Sequence, residues 1–173
     1  MLISSLAALL LAQAPSTGVN SQSATAQPTV VAATKSIEVG DWTTQCNGSG
    51  KAQICDAVQV MIDPTTKVER VRVGFARQKT SGLYGVQART PLGFRLDTGA
   101  MLRFNGIANS GISGIVFNRC ITEGCFAEKP LTAQEVASLG AAKQIDLIFL
   151  DLAGKPVTVP LSVKGLQEAL RKL

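Results

Sequence analysis

The chain has 173 residues, 46% apolar and 17% charged, with a formal net charge of +5. That balance suits one folded globular domain. The absence of histidine excludes the usual serine and cysteine triads and most metal centres. A single Trp and a single Tyr, with no basic run interleaved by aromatics, speak against a nucleic-acid site and for a solvated basic surface.

Met1 to Leu11 is almost wholly apolar or small. It is too short to span a bilayer as a helix, which takes about 20 residues, and reads as the core of an export signal. No Lys or Arg precedes it, and Ala12-Gln13-Ala14 is followed by Pro15, so Ala24-Thr25-Ala26 is a second candidate for cleavage. The expected division is a signal segment at 1–26, a disordered linker at 27–36 and a folded domain at 37–173. The uncharged Ser, Thr, Ala, Gln and Pro of Gln13 to Thr34 supply too little apolar material to offset the entropy of ordering them.

Ser36 to Gln45 reads as one strand with a bulge at Gly40-Asp41, ending at Cys46. After the turn Asn47-Gly48-Ser49-Gly50, Gln53 to Asp63 reads as the second strand. Val68 to Gln78 alternates, with Val71, Val73 and Phe75 on one face and Arg70 and Arg72 on the other, the period of a half-buried strand. Leu83 to Thr90 is a further strand, stopped by Pro91-Leu92-Gly93. Phe94 to Thr98 and Met101 to Asn105 are expected to form a hairpin about Gly99-Ala100, and Ile112 to Arg119 forms the strand that delivers Cys120.

Thr132 and Glu135 make a capping box for a short helix that Gly140 should stop. Gln144 to Leu152 and Val157 to Leu161 read as a last hairpin, and Ser162 as the cap of a final helix carrying Leu166, Leu170 and Leu173. The expected fold class is all-β, an antiparallel sandwich or barrel, with two short helices near the C-terminus.

Four cysteines allow three connectivities. The eight- and four-residue spacings are not those of zinc knuckles, and in an exported protein structural disulfides are the default. Proximity in the inferred hairpins predicts Cys46 with Cys55 and Cys120 with Cys125, although crossed pairs would gain more from loop entropy. No metal site, cofactor or catalytic group is expected. Asp97, Glu123, Asp146 and Asp151 are the carboxylates from which a glycosidase pair would have to be drawn, and nothing in their spacing singles out any two.

The chain carries Gly40-Asp41-Trp42 before Cys46 and Cys55, then Pro91-Leu92-Gly93 with Leu96 and Gly99. Cys120, Gly124, Cys125 and Ala127 follow, and the run Gly154 to Leu166 closes the series. In this order the motifs resemble the invasion-associated locus B family, over roughly Ile37 to Leu173. The resemblance implies an exported protein of the Gram-negative envelope, periplasmic or at the outer surface, stapled by disulfides. It also implies a partner that is an envelope component or a host-surface molecule, a contribution to host-cell interaction or envelope integrity, and no established catalytic residue. The alternatives are a periplasmic enzyme acting on envelope glycans and a thiol–disulfide protein.

Overall fold

Alternation of apolar and polar residues carries through most of the chain and is resolved as one antiparallel sheet of ten strands. The structure, a computed structural model, describes residues 37–50, 53–106 and 109–173. The expected export segment at 1–26 and the expected linker at 27–36 lie outside the described residues.

The strands are β1 (Ile37–Val39), β2 (Trp42–Asn47), β3 (Ile54–Ile62), β4 (Glu69–Gln78), β5 (Tyr84–Thr90), β6 (Ala100–Phe104), β7 (Gly111–Ile121), β8 (Gly124–Leu131), β9 (Ile145–Leu150) and β10 (Pro156–Leu161). The helices are α1 (Ala133–Ala141) and α2 (Leu166–Lys172). The sheet order is β1-β2-β3-β4-β5-β8-β7-β6-β9-β10, so β6 leaves the meander and β8 inserts beside β5. Strand β7 joins the two parts: Ile112 and Ile115 face β6, while Val116 to Ile121 pair with β8, with register shifts in both ladders.

The sheet curves as a half-barrel around its core. The core joins Trp42, Val73 and Phe75 from one part, Leu102, Ile112 and Leu147 from the other, and Leu166 and Leu170 from α2. Both helices are short; α2 buries Leu166, Ala169 and Leu170, and Leu173 is buried just beyond it.

The two ends of the sheet meet at one corner through polar groups. The Trp42 indole Nε1 donates to the Ser162 carbonyl at 3.0 Å. The Asp41 amide donates to the Lys164 carbonyl at 3.1 Å. Gln59 is buried between them, accepting from the Ser162 amide at 2.9 Å and donating to the Asp41 carbonyl at 3.3 Å, while the Ser162 hydroxyl donates to Asp41 Oδ2 at 2.6 Å. These bonds satisfy backbone groups that a sheet edge would otherwise leave open.

Edge strand β10 has its own protection. The Lys155 carbonyl accepts from Asp151 across the β9–β10 turn. Successive strand residues alternate direction, so Pro156, Thr158 and Pro160 turn their backbone away from β9. Proline deletes the outward amide at both ends of that set, and the next one, at Ser162, is taken by Gln59.

Several local expectations are corrected. Gly40-Asp41 is not a bulge but the turn between β1 and β2, with Val39 opposite Trp42 and Gly40 at φ +62°. Phe94 to Thr98 forms no hairpin with β6. Phe94 makes one bridge to Asp151, the segment turns through Gly99 at φ +66°, and β6 pairs instead with β7 and β9. Gly140 does not stop α1, which runs to Ala141; it lies where the helix passes Gln167 and Leu170 of α2. Ser162 does not cap α2. Gly165 stands at the N-cap in the left-handed region, and the Ser162 side chain serves Asp41 and the Lys164 amide. Strand β8, with Glu128, Lys129 and Pro130, was not expected as a strand. It is held on both sides by β5 and β7.

Candidate functional site

The four carboxylates with glycosidase potential have separate partners. Asp146, buried on β9, is bonded at 2.8 Å to Arg103 directly across on β6. Asp97 is held by Arg95, Asp151 accepts from the Lys155 amide in the β9–β10 turn, and Glu123 accepts from Thr122 at the β7–β8 tip. Among the described residues, no group of three or more His, Cys, Asp and Glu is placed to hold a metal ion.

The cysteines sit opposite one another in their ladders. Cys46 of β2 is bonded to Cys55 of β3, and Cys120 of β7 to Cys125 of β8, each with Cα atoms 4.0 Å apart. The first staple has Cys55 buried in the core. The second closes a hairpin whose Cys120 is exposed and whose Cys125 is buried.

A broad, open hollow lies on the sheet face turned away from the core. Because side chains alternate, Val71, Val73 and Phe75 point inward and Arg72, Gly74 and Ala76 point outward. The pairing then aligns outward residues in rows across the strands. One row is Gln45, Asp56, Ala76, Gly85 and Pro130; the next is Thr43, Val58, Gly74, Gln87, Glu128 and Val116. Gly74, Ala76 and Gly85 leave the middle of these rows without side chains of any length. The result is a trough of about 700 Å³ floored by Ala76 and Gly85, with Ile54 and Leu83 exposed on its wall and Gln87, Asn118 and Glu128 along its side. A second hollow of about 220 Å³ adjoins it, sharing Ile54, Ala76 and Gln87 and reaching Asp56, Val58 and Arg72.

Charge in the trough is internally matched. Glu128 accepts from Gln87 and Asn118, each at 2.6 Å, and from Arg119 at 2.8 Å. Burial would raise its carboxyl, but these bonds outweigh burial and hold it below its ordinary value. Arg119 also lies over the Phe126 ring, 4.4 Å from its centroid. Arg72 and Arg89 both bind Glu69, and Lys129 binds Glu135.

Asp56 is different. Its Oδ2 accepts from Gln45 at 3.2 Å, but its Oδ1 is buried with no hydrogen-bond partner, and burial pushes the carboxyl above the usual range.

The profile of the family described as Invasion associated locus B (IalB) protein matches residues 42–173. The chain belongs to the invasion-associated locus B family. A crystal structure of invasion associated protein b from Bartonella henselae has the same fold, with a TM-score of 0.65 at 16% identity, over 80% of this chain and 94% of that one. None of the curated proteins matches it by sequence.

The IalB motifs now have places in the fold. Gly40-Asp41-Trp42 and, from the closing Gly154 to Leu166 run, Ser162 and Lys164, at opposite ends of the domain, meet in the polar corner. Gly40 cannot carry a side chain there, because a Cβ would fall 2.5 Å from the Lys164 carbonyl oxygen. Gly124 is likewise pressed against the Thr90 carbonyl beside the second disulfide. None of the motif residues lines the trough. The residues that do were not singled out by sequence. The signal available was Gly74 and Ala76, in antiphase with Val71, Val73 and Phe75 on β4, with Gly85 on the next strand.

Proposed function

We propose that this IalB protein is exported by its N-terminal segment and acts in the cell envelope, in the periplasm or at the outer surface, as a binding protein. Its ligand site is the outward trough, and its partner is an envelope component or a host-surface molecule. The family and the paired disulfides are consistent with an oxidising compartment outside the cytoplasm. No described helix is long and apolar enough to cross a membrane.

The observation that carries the reading is the trough itself, a hollow in the range of ligand sites with a few convergent polar groups. The separate partners of Asp97, Glu123, Asp146 and Asp151 favour binding over glycan hydrolysis.

The test has two arms. Protease accessibility of the chain on intact and on outer-membrane-permeabilised cells assigns the side of the membrane; cleavage of neither would remove the envelope assignment. Retention of solubilised envelope and host-surface material by the immobilised full chain, lost on Gly85→Leu, would locate binding in the trough. Retention unaffected by that substitution would take the trough out of the reading.

A further inference from the structure

Strand-interior glycine weakens a sheet, and it persists where a bulge, a bend or the close approach of another group requires it. Gly74 and Gly85 lie outside the bulge of the β3–β4 ladder, and neither has a positive φ. A Cβ on either would make only ordinary contacts, 3.5 Å to Val58 Cγ2 at Gly74 and 3.6 Å to the Lys129 carbonyl at Gly85. The remaining use of such a residue is to let a ligand lie against the backbone.

The floor is long and apolar. Ile54, Ala76, Gly85 and Pro130 stand on the successive strands β3, β4, β5 and β8, so the trough crosses three strand gaps, about 14 Å, the reach of an extended acyl chain of medium length. Ile54 and Leu83, 48% and 62% exposed, stand together at one end on either side of Gln78. Hydrocarbon laid over them would remove apolar surface from water.

The polar side of the trough is engaged with itself. Gln87 and Asn118 each donate to Glu128, which also accepts from Arg119. A ligand that binds through hydrogen bonds would have to displace these, whereas a hydrocarbon leaves them in place. An added peptide strand would need an open edge, yet β3, β4, β5 and β8 are laddered on both sides.

Charge gives the ligand a direction. Arg72, Arg119 and Lys129 each serve a carboxylate. Lys79 does not: it follows Gln78 at the Ile54 and Leu83 end, and its Nζ donates to the neutral side chain of Gln53, the residue before Ile54. An anionic group placed there gains a cation and stays clear of Glu128.

We infer that the trough holds a single acyl chain with an anionic head, taken up as a monomer, the chain lying on Ala76 and Gly85 and the head paired with Lys79. The floor is a hollow within the sheet face, which a lone chain enters and the flat surface of a bilayer does not. This rests on the trough being the binding site proposed above.

The experiment titrates the ¹⁵N-labelled full chain with dodecanoate below its micelle concentration, following backbone amides. Shifts at Ala76, Leu83 and Gly85 are expected, and Gly85→Leu should abolish them. Lys79→Gln should weaken dodecanoate binding by up to about fivefold, the worth of an exposed ion pair, and leave the weaker binding of uncharged dodecyl maltoside unaltered. Leu83→Gln, at an exposed position, should weaken both ligands and repeats the test should the leucine variant not fold.

The inference is overturned if dodecanoate shifts none of those amides, if dodecyltrimethylammonium binds as tightly, or if Lys79→Gln leaves dodecanoate binding unchanged. Binding to phosphatidylglycerol vesicles without binding of the monomer overturns it as well. If amphiphiles fail while Gly85→Leu still abolishes retention of envelope or host material, the acyl ligand falls and the binding site stands. If that retention ignores Gly85→Leu, both fall.

Discussion

The polar corner and the trough both depend on glycine, but for opposite reasons. At the corner, Gly40 has a positive φ and no room for a Cβ, so its residue type is dictated by the backbone of Lys164. In the trough, Gly74 and Gly85 have ordinary strand geometry and room to spare. The polar groups divide in the same way. Asp41, Gln59 and Ser162 bond to one another and to the backbone, whereas Asp56 leaves one buried oxygen unmatched. One region closes on itself through side chains and backbone, and the other keeps a face floored by small residues.

Substitution of Trp42 should break the corner most severely. Its side chain is fully buried, stacks at a tilt 5.5 Å from Phe75 and holds the Ser162 carbonyl. Trp42→Ala is expected to destabilise by about 3–5 kcal/mol, measured from urea unfolding midpoints and slopes. Gly40→Ala should cost about 1–3 kcal/mol in the same assay, since it combines a strained φ with a clash against backbone. A loss below that range would mean that the corner yields easily, and the contrast with the trough would weaken.

Two aspartates of the β3–β4 hairpin sharpen the contrast in charge. Asp63, in the turn, is held at about 2 by the Thr66 and Thr65 amides and by Arg70, against an ordinary value of 3.8. Its folded value is depressed, so its contribution is present above pH 3.8 and is lost as the pH falls toward about 2. Asp63→Asn should flatten acid unfolding across that window. Asp56 is shifted the other way, so its charged form works against folding at neutral pH. Asp56→Asn should therefore leave stability unchanged or raise it by up to about 1 kcal/mol, read by urea unfolding at pH 7.

The smallest effect, and the one of opposite sign to Gly40→Ala, belongs to Gly85→Ala. It should stabilise by about 0.5 kcal/mol, because alanine restricts the unfolded chain at a site whose φ it can adopt. A destabilisation there would show that the trough glycine is structural after all.

Much of the fold was legible. The alternation of Val71, Val73 and Phe75 fixed the inward face of β4, and the cysteines flanking short glycine-bearing turns face each other in their hairpins because register in such turns is short-range. The capping box is present, with Thr132 accepting from the Glu135 amide and Glu135 accepting from the Thr132 amide.

What was not legible depends on partners distant in sequence. Ser162 reads locally as a helix cap, and only the approach of Asp41, 121 positions away, shows its role. Strand β8 lacks a strand-like pattern because Glu128 and Lys129 are held by Asn118, Arg119 and Glu135 rather than by solvent. The trough has no local signature for the same reason, since Asp56, Ala76 and Gly85 become neighbours only once three strands are laid side by side.

The prolines of β10 bear on the behaviour of many copies together. A ten-stranded antiparallel sheet is a template for lateral growth, and a protein confined at high local density would be drawn toward filaments along any open rim. Here an incoming strand finds an amide at Thr158 alone among the three outward positions of β10. The β10 margin is therefore capped against self-templating, and copies crowded together do not grow from it.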